Sequence, residues 1–147
     1  MTNHPYLRAY LAGIGVPTPL LLIALTVFAV ARFACHIPVP VERVIIFPMA
    51  IIPNLFGLWN ILHRATRTNL PLGVHGAILP FILAPGGYLL ARGLGLLQST
   101  QTGVVYFGLF NVSYGTLLAV FSTVVIVYYL LWKYAVGYLN GILGVDE

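Results

Sequence analysis

Long uncharged runs separated by single basic residues set the pattern of this chain. Between Arg8 and Arg32 lie 23 residues without formal charge, between Arg43 and Arg64 lie 20, between Arg67 and Arg92 lie 24, and between Arg92 and Lys133 lie 40. A helix needs roughly 20 mostly apolar residues to cross the hydrocarbon core of a bilayer. The pattern therefore predicts an all-α polytopic membrane protein: a four-transmembrane-helix antiparallel bundle, one domain over residues 1–147, with spans at about 18–34, 44–62, 71–92 and 104–132.

Local signals refine these elements. Thr18-Pro19 supplies a capping residue followed by proline at the first helical position, and Leu20 opens an apolar run that ends near Ala34. Cys35 to Val41 is too rich in proline to continue the helix. The second span carries Pro48 and Pro53, and the third carries Pro80 and Pro85-Gly86-Gly87, so both are expected to be kinked, the third with an irregular end. The short connection from Arg64 to Leu70 makes those two spans an antiparallel hairpin. The fourth span, 29 residues by this reading, measures about 44 Å as a helix and exceeds a core of about 30 Å.

Composition agrees, with 60% hydrophobic and 7% charged residues against about 25% charged in soluble proteins. Ala29-Val30-Ala31 resembles a leader cleavage site, but Arg32 follows directly and the preceding charged region is thin, so the first span is expected to be retained. The net charge of +4 does not point to nucleic acid, because the basic residues fall at span ends, where they anchor helices. An even number of spans places Arg8, Arg64, Arg67 and Lys133 on one side and Arg32, Arg43 and Arg92 on the other. The excess sets both termini in the cytoplasm by the positive-inside rule, in a bacterial-type inner membrane or another cell membrane.

Helices in lipid associate through small residues and polar contacts. The third span presents Gly73, Ala77, Pro80, Ala84, Gly87 and Ala91 on one face, the fourth Gly108, Asn111, Gly115, Ala119 and Ser122, and the second Pro53, Gly57, Asn60 and Arg64. These seams imply helix packing. A polar seam of Asn60, Arg64, Asn111 and Ser122 is the alternative, suited to a quinone, a headgroup or a small polar solute.

Candidate chemistry is sparse. The acids are Glu42 at a span end and Asp146 and Glu147 at the end of the chain, so no intramembrane carboxylate offers proton coupling. His63 and His75 end the second span and begin the third, where two imidazoles could hold a haem. Cys35 and His36 lack companions for a metal site. The hydroxyls Ser113, Thr116, Ser122 and Thr123 have no adjacent base and are expected to bond carbonyls one turn back. The sequence thus favours a non-catalytic accessory or structural subunit that contacts membrane lipids and packs with its own copies or other membrane subunits. A small-solute transporter or channel subunit and a haem or quinone anchor of an electron-transfer enzyme are the alternatives.

Overall fold

The computed structural model describes residues 4–38, 40–66, 69–108 and 110–145. Arg67, counted above among the anchors, and the terminal acids Asp146 and Glu147 lie outside them. The chain is mostly helical, with helices α1 (Pro5–Gly15), α2 (Pro17–Phe33), α3 (Phe47–Thr66), α4 (Leu72–Gly93), α5 (Tyr114–Leu130) and α6 (Gly137–Ile142), and it carries strands β1 (Leu97–Ser99), β2 (Gly103–Tyr106) and β3 (Phe110–Ser113). Among the described residues three helical segments are long and apolar enough to cross a membrane: Pro5–Phe33, Leu72–Gly93 and Tyr114–Ile142. α3 falls outside that set because Asn54, Asn60, His63 and Arg64 dilute its apolar residues.

Two compact units emerge. One comprises the chain up to Leu70 together with Tyr134 onward, and the other is Pro71–Lys133. In the first unit, α1 begins well before Thr18, with Pro5 in its opening turn, and the segment continues through Val16 into α2, which starts at Pro17. The first span is therefore longer than Thr18-Pro19 suggested. A proline in the first turn of a helix removes only an amide that would have no intrahelical partner, so Pro17 starts α2 while the chain remains helical around it. α2 closes with His36 in the left-handed region at φ 55°. A π turn over Glu42–Ile46 then leads into α3. Its wider bonds, with the Phe47 amide donating to the Glu42 carbonyl, make room for Pro48, which cannot donate and would crowd a regular turn.

α1 runs antiparallel to α3. A Cβ on Gly13 would lie 2.6 Å from the Phe56 carbonyl oxygen and 2.7 Å from Gly57 Cα, so these backbones meet with no side chain between them. Gly57 in turn receives the Tyr10 ring. Ala9, Ala12 and Val145 form a small buried core with Ile61, Leu139 and Leu143 against it. Val145 arrives there because α6 ends in a Schellman motif: Gly144 adopts φ 61°, and the Val145 and Gly144 amides donate to the carbonyls of Asn140 and Gly141 at 2.9 and 3.2 Å.

In the second unit, α4 remains helical past Pro80 and Pro85-Gly86-Gly87 to Gly93, so the irregular end expected there does not form. Each proline costs one hydrogen bond, whereas unravelling an apolar stretch would expose many backbone groups. α4 ends in a second Schellman motif, with Gly95 at φ 70° and the Leu96 amide donating to the Ala91 carbonyl at 2.8 Å.

The all-α expectation is corrected by the segment between α4 and α5, an antiparallel sheet in the order β1-β2-β3. Residues 103–106 and 110–113 are strands, with a turn at 107–108, instead of the first turns of the fourth span, and α5 starts only at Tyr114. The reason is local. Val104, Val105, Tyr106, Phe110 and Val112 favour extended backbone, Gly108 takes φ 69° in the turn, and Ser113 caps α5 by accepting from the Thr116 amide at 3.2 Å.

Candidate functional site

In the first unit the polar side chains of α3 are turned to structure. Asn60, 1% exposed, donates through Nδ2 to the Ala9 carbonyl at 2.7 Å and to Asn140 Oδ1 at 2.8 Å. Asn140, 2% exposed, donates back to Asn60 Oδ1 at 3.3 Å. One amide pair thereby ties α1, α3 and α6. Asn54 donates through Nδ2 to the Ala50 carbonyl at 2.8 Å and accepts from the Tyr10 hydroxyl, so it both bonds its own helix near Pro53 and reaches across to α1. Arg64 is half-buried in the last turn of α3. Arg8 on α1 donates to the Gly144 carbonyl at 3.5 Å.

The other members of the proposed polar seam lie in the second unit and belong to different kinds of element. Asn111 is exposed on β3, not on a helix. Ser122 is exposed on α5 and donates to the Leu118 carbonyl at 2.9 Å, as Thr123 does to the Ala119 carbonyl at 3.0 Å. The face that was to join Gly108 and Asn111 to Gly115, Ala119 and Ser122 is thus broken at its start, because the strands do not share the helical period.

The two histidines occupy distinct settings. His63 Nε2 lies 3.2 Å from the Leu70 carbonyl, to which it donates when protonated there. His75 is 5% exposed and sits edge-on to Trp132, ring centroids 6.0 Å apart at 71°. His75 thus lies among the packed positions of its helix, since Gly73, His75, Gly76, Leu79 and Pro80 are the buried positions of α4. An iron ligated by His75 would have to displace the indole. Among the described residues no three His, Cys, Asp or Glu side chains gather into a metal-binding group.

The packing residues sort in the same way. A Cβ on Gly73 would come within 2.9 Å of the Tyr129 ring and 3.1 Å of Lys133 Cβ, and one on Gly76 would overlap Trp132. Ala77 is half-buried beside them. Large side chains of α5 and of the π-helical turn Leu131–Val136 that continues it thus fill the groove that the glycines leave on α4, and Phe81 meets Phe121 edge to face at 5.0 Å and 89°, a geometry worth about 0.5–1.5 kcal/mol. Further along, Ala84 and Gly87 are exposed, and among the described residues nothing lies within 4 Å of a Cβ placed on Gly86 or Gly87. Gly115 and Ala119 are exposed on α5 as well, and Gly108 stands in a turn.

Sequence reasoning missed Gly13, Tyr10, Asn140 and Trp132 as packing partners. The small-residue series Ala9, Ala12, Gly13 was legible at helical spacing, and Asn140 is the one amide in the last run of the chain. Comparison with known protein families, curated proteins and solved structures finds no match.

Proposed function

We propose that this chain is an integral membrane protein crossing the bilayer four times, with both termini on the cytoplasmic side, and that it acts without catalysis as an accessory subunit packed against its own copies or other membrane proteins. The fourth crossing is the stretch at about 44–62, within the helical run that the π turn and α3 form, with Glu42 outside it at the membrane surface. Its asparagines suit a span because both amides already have partners within the protein, which lowers the cost of taking them into hydrocarbon.

The observation that carries the subunit reading is the small-residue surface that the described residues leave exposed, formed by Ala84 and Gly87 on α4 and by Gly115 and Ala119 on α5. In lipid such surfaces allow close backbone approach between helices, while bulky residues suffice to face acyl chains. Purification in mild detergent with crosslinking tests it. A stable oligomer or a co-purifying membrane subunit is expected, weakened by Gly87→Leu and Ala119→Leu; a lone monomer under all mild conditions overturns the reading. Asn60 is bonded to Asn140 and His75 is packed on Trp132, so neither lends support to a solute path or a haem.

A further inference from the structure

The three-stranded sheet between α4 and α5 is amphipathic in a way the sequence periodicity does not reveal. Its register pairs Leu97 with Tyr106 and Tyr106 with Phe110, then Gln98 with Val105 and Val105 with Asn111, then Ser99 with Val104 and Val104 with Val112. Directly paired residues share a face and successive rows alternate. One face therefore holds Leu97, Tyr106, Phe110, Val104 and Val112 with Ser99, and the other presents Gln98 and Asn111 around Val105.

The apolar face is turned toward the helices. Ser99 Oγ is 2.6 Å from the Tyr88 hydroxyl on α4, and Leu97 and Val104 are buried. The Tyr114 hydroxyl at the start of α5 donates to the Thr100 carbonyl at 2.9 Å, so both helices hold the sheet. Tyr88 precedes the end of α4 by five residues, about 8 Å along the axis, which sets the sheet beside the last turns of a span. Yet the protein does not cover all of that face, because Phe110 remains 55% exposed. No formal charge occurs from Gly93 to Trp132.

We infer that this sheet lies flat in the headgroup layer of the bilayer, with Phe110 directed into lipid and Gln98 and Asn111 directed into water. The inference rests on the membrane reading given above. Its occupant is phospholipid because the exposed aromatic edge is continuous with two helices apolar enough to cross a membrane, at the depth where aromatic rings are favoured. Within the sheet the backbone groups of β2 pair on both sides, as a segment leaving bulk water requires.

The test is nitroxide labelling of the full chain in phosphatidylcholine vesicles. Cys35→Ser provides the background, and Phe110→Cys, Asn111→Cys and Ile126→Cys carry the label one at a time. Ile126, 59% exposed on α5, reports on the membrane reading alone. The ratio of collisions with oxygen to collisions with a water-soluble nickel chelate is expected to be several-fold higher at 110 than at 111. Val112→Cys reads the same face as Phe110 should that variant fail to incorporate. Equal ratios at 110 and 111 overturn the inference, and so does a label at 110 shielded from both reagents, which would mean protein covers it. In either case a lipid-exposed label at 126 leaves the membrane reading standing; nickel access at 126 removes both.

Discussion

Asn60 and Asn140 exchange hydrogen bonds inside the first unit, at 2.8 Å in one direction and 3.3 Å in the other, while Asn60 also donates to the Ala9 carbonyl at 2.7 Å. Removing one partner of such a pair strands the other, whereas removing both leaves an apolar contact. Asn60→Leu is expected to destabilise the protein by about 1–3 kcal/mol, and Asn60→Leu with Asn140→Leu by less than the sum of the single changes. Unfolding measured in bicelles gives the cycle. Strict additivity would show that the two amides do not act together.

Gly76 and Trp132 form the corresponding fit in the second unit. Gly76→Ala places a methyl group where the indole now lies, and the overpacking is expected to cost about 1–3 kcal/mol. Combining it with Trp132→Leu should recover part of the loss. Gly86→Ala serves as the reference, because that position faces open space and alanine there gains about 0.5–1 kcal/mol of helix stability. Thermal unfolding of the four proteins in one detergent orders them, and equal losses at positions 76 and 86 would refute the fit.

That the chain carries helices long and apolar enough to cross a membrane was legible in its sequence, because long uncharged runs separate its basic residues. The packing was legible only in part. Small residues mark where a helix can be approached, but not which neighbour approaches: Gly73 receives α5, while Ala84 and Gly87 on the same face of α4 are exposed among the described residues. The sheet escaped the reading because residues 103–113 are as apolar as a span, and hydropathy does not distinguish a strand from a helix in a continuous apolar run. The signals that decide it are the β-branched and aromatic residues, Gly108 and the capping pair Ser113 and Thr116. Asn140 was missed for a different reason. A buried amide is identified by the partner it meets, and Asn60 lies 80 positions away.

Arg32 donates to both carboxylate oxygens of Glu42, at 2.7 and 2.8 Å, across the connection between α2 and α3. A hydrogen bond from its own backbone amide, and then the one from Arg32, hold the Glu42 carboxyl below its ordinary value. Because the folded value is the lower of the two, the contribution to stability is complete above the ordinary carboxylate range and is lost as pH falls through the folded value. The site is open to solvent, so the contribution is small and salt-sensitive. Glu42→Gln should flatten the acid limb of unfolding temperature against pH and leave the neutral region nearly unchanged. An identical acid limb in both proteins would exclude Glu42 as its source.

The segment before α5 offers the sharpest contrast between two conformations of one sequence. If residues 103–113 continued α5 as a helix, Gly108→Ala would stabilise it and Ser113→Ala would be close to neutral. In the hairpin both changes are adverse. Gly108 holds φ 69°, which costs an L-residue about 1–2 kcal/mol, and Ser113 Oγ accepts the Thr116 amide at 3.2 Å, a cap worth about 1 kcal/mol. Gly103→Val is expected to be the most damaging, since its side chain would run into the Val112 carbonyl of the paired strand. Unfolding of the three variants, with infrared amide bands to follow strand content, separates the two conformations. A stabilising Gly108→Ala with no loss of strand signal from Gly103→Val would mean that this stretch is helical and that the amphipathic sheet does not exist.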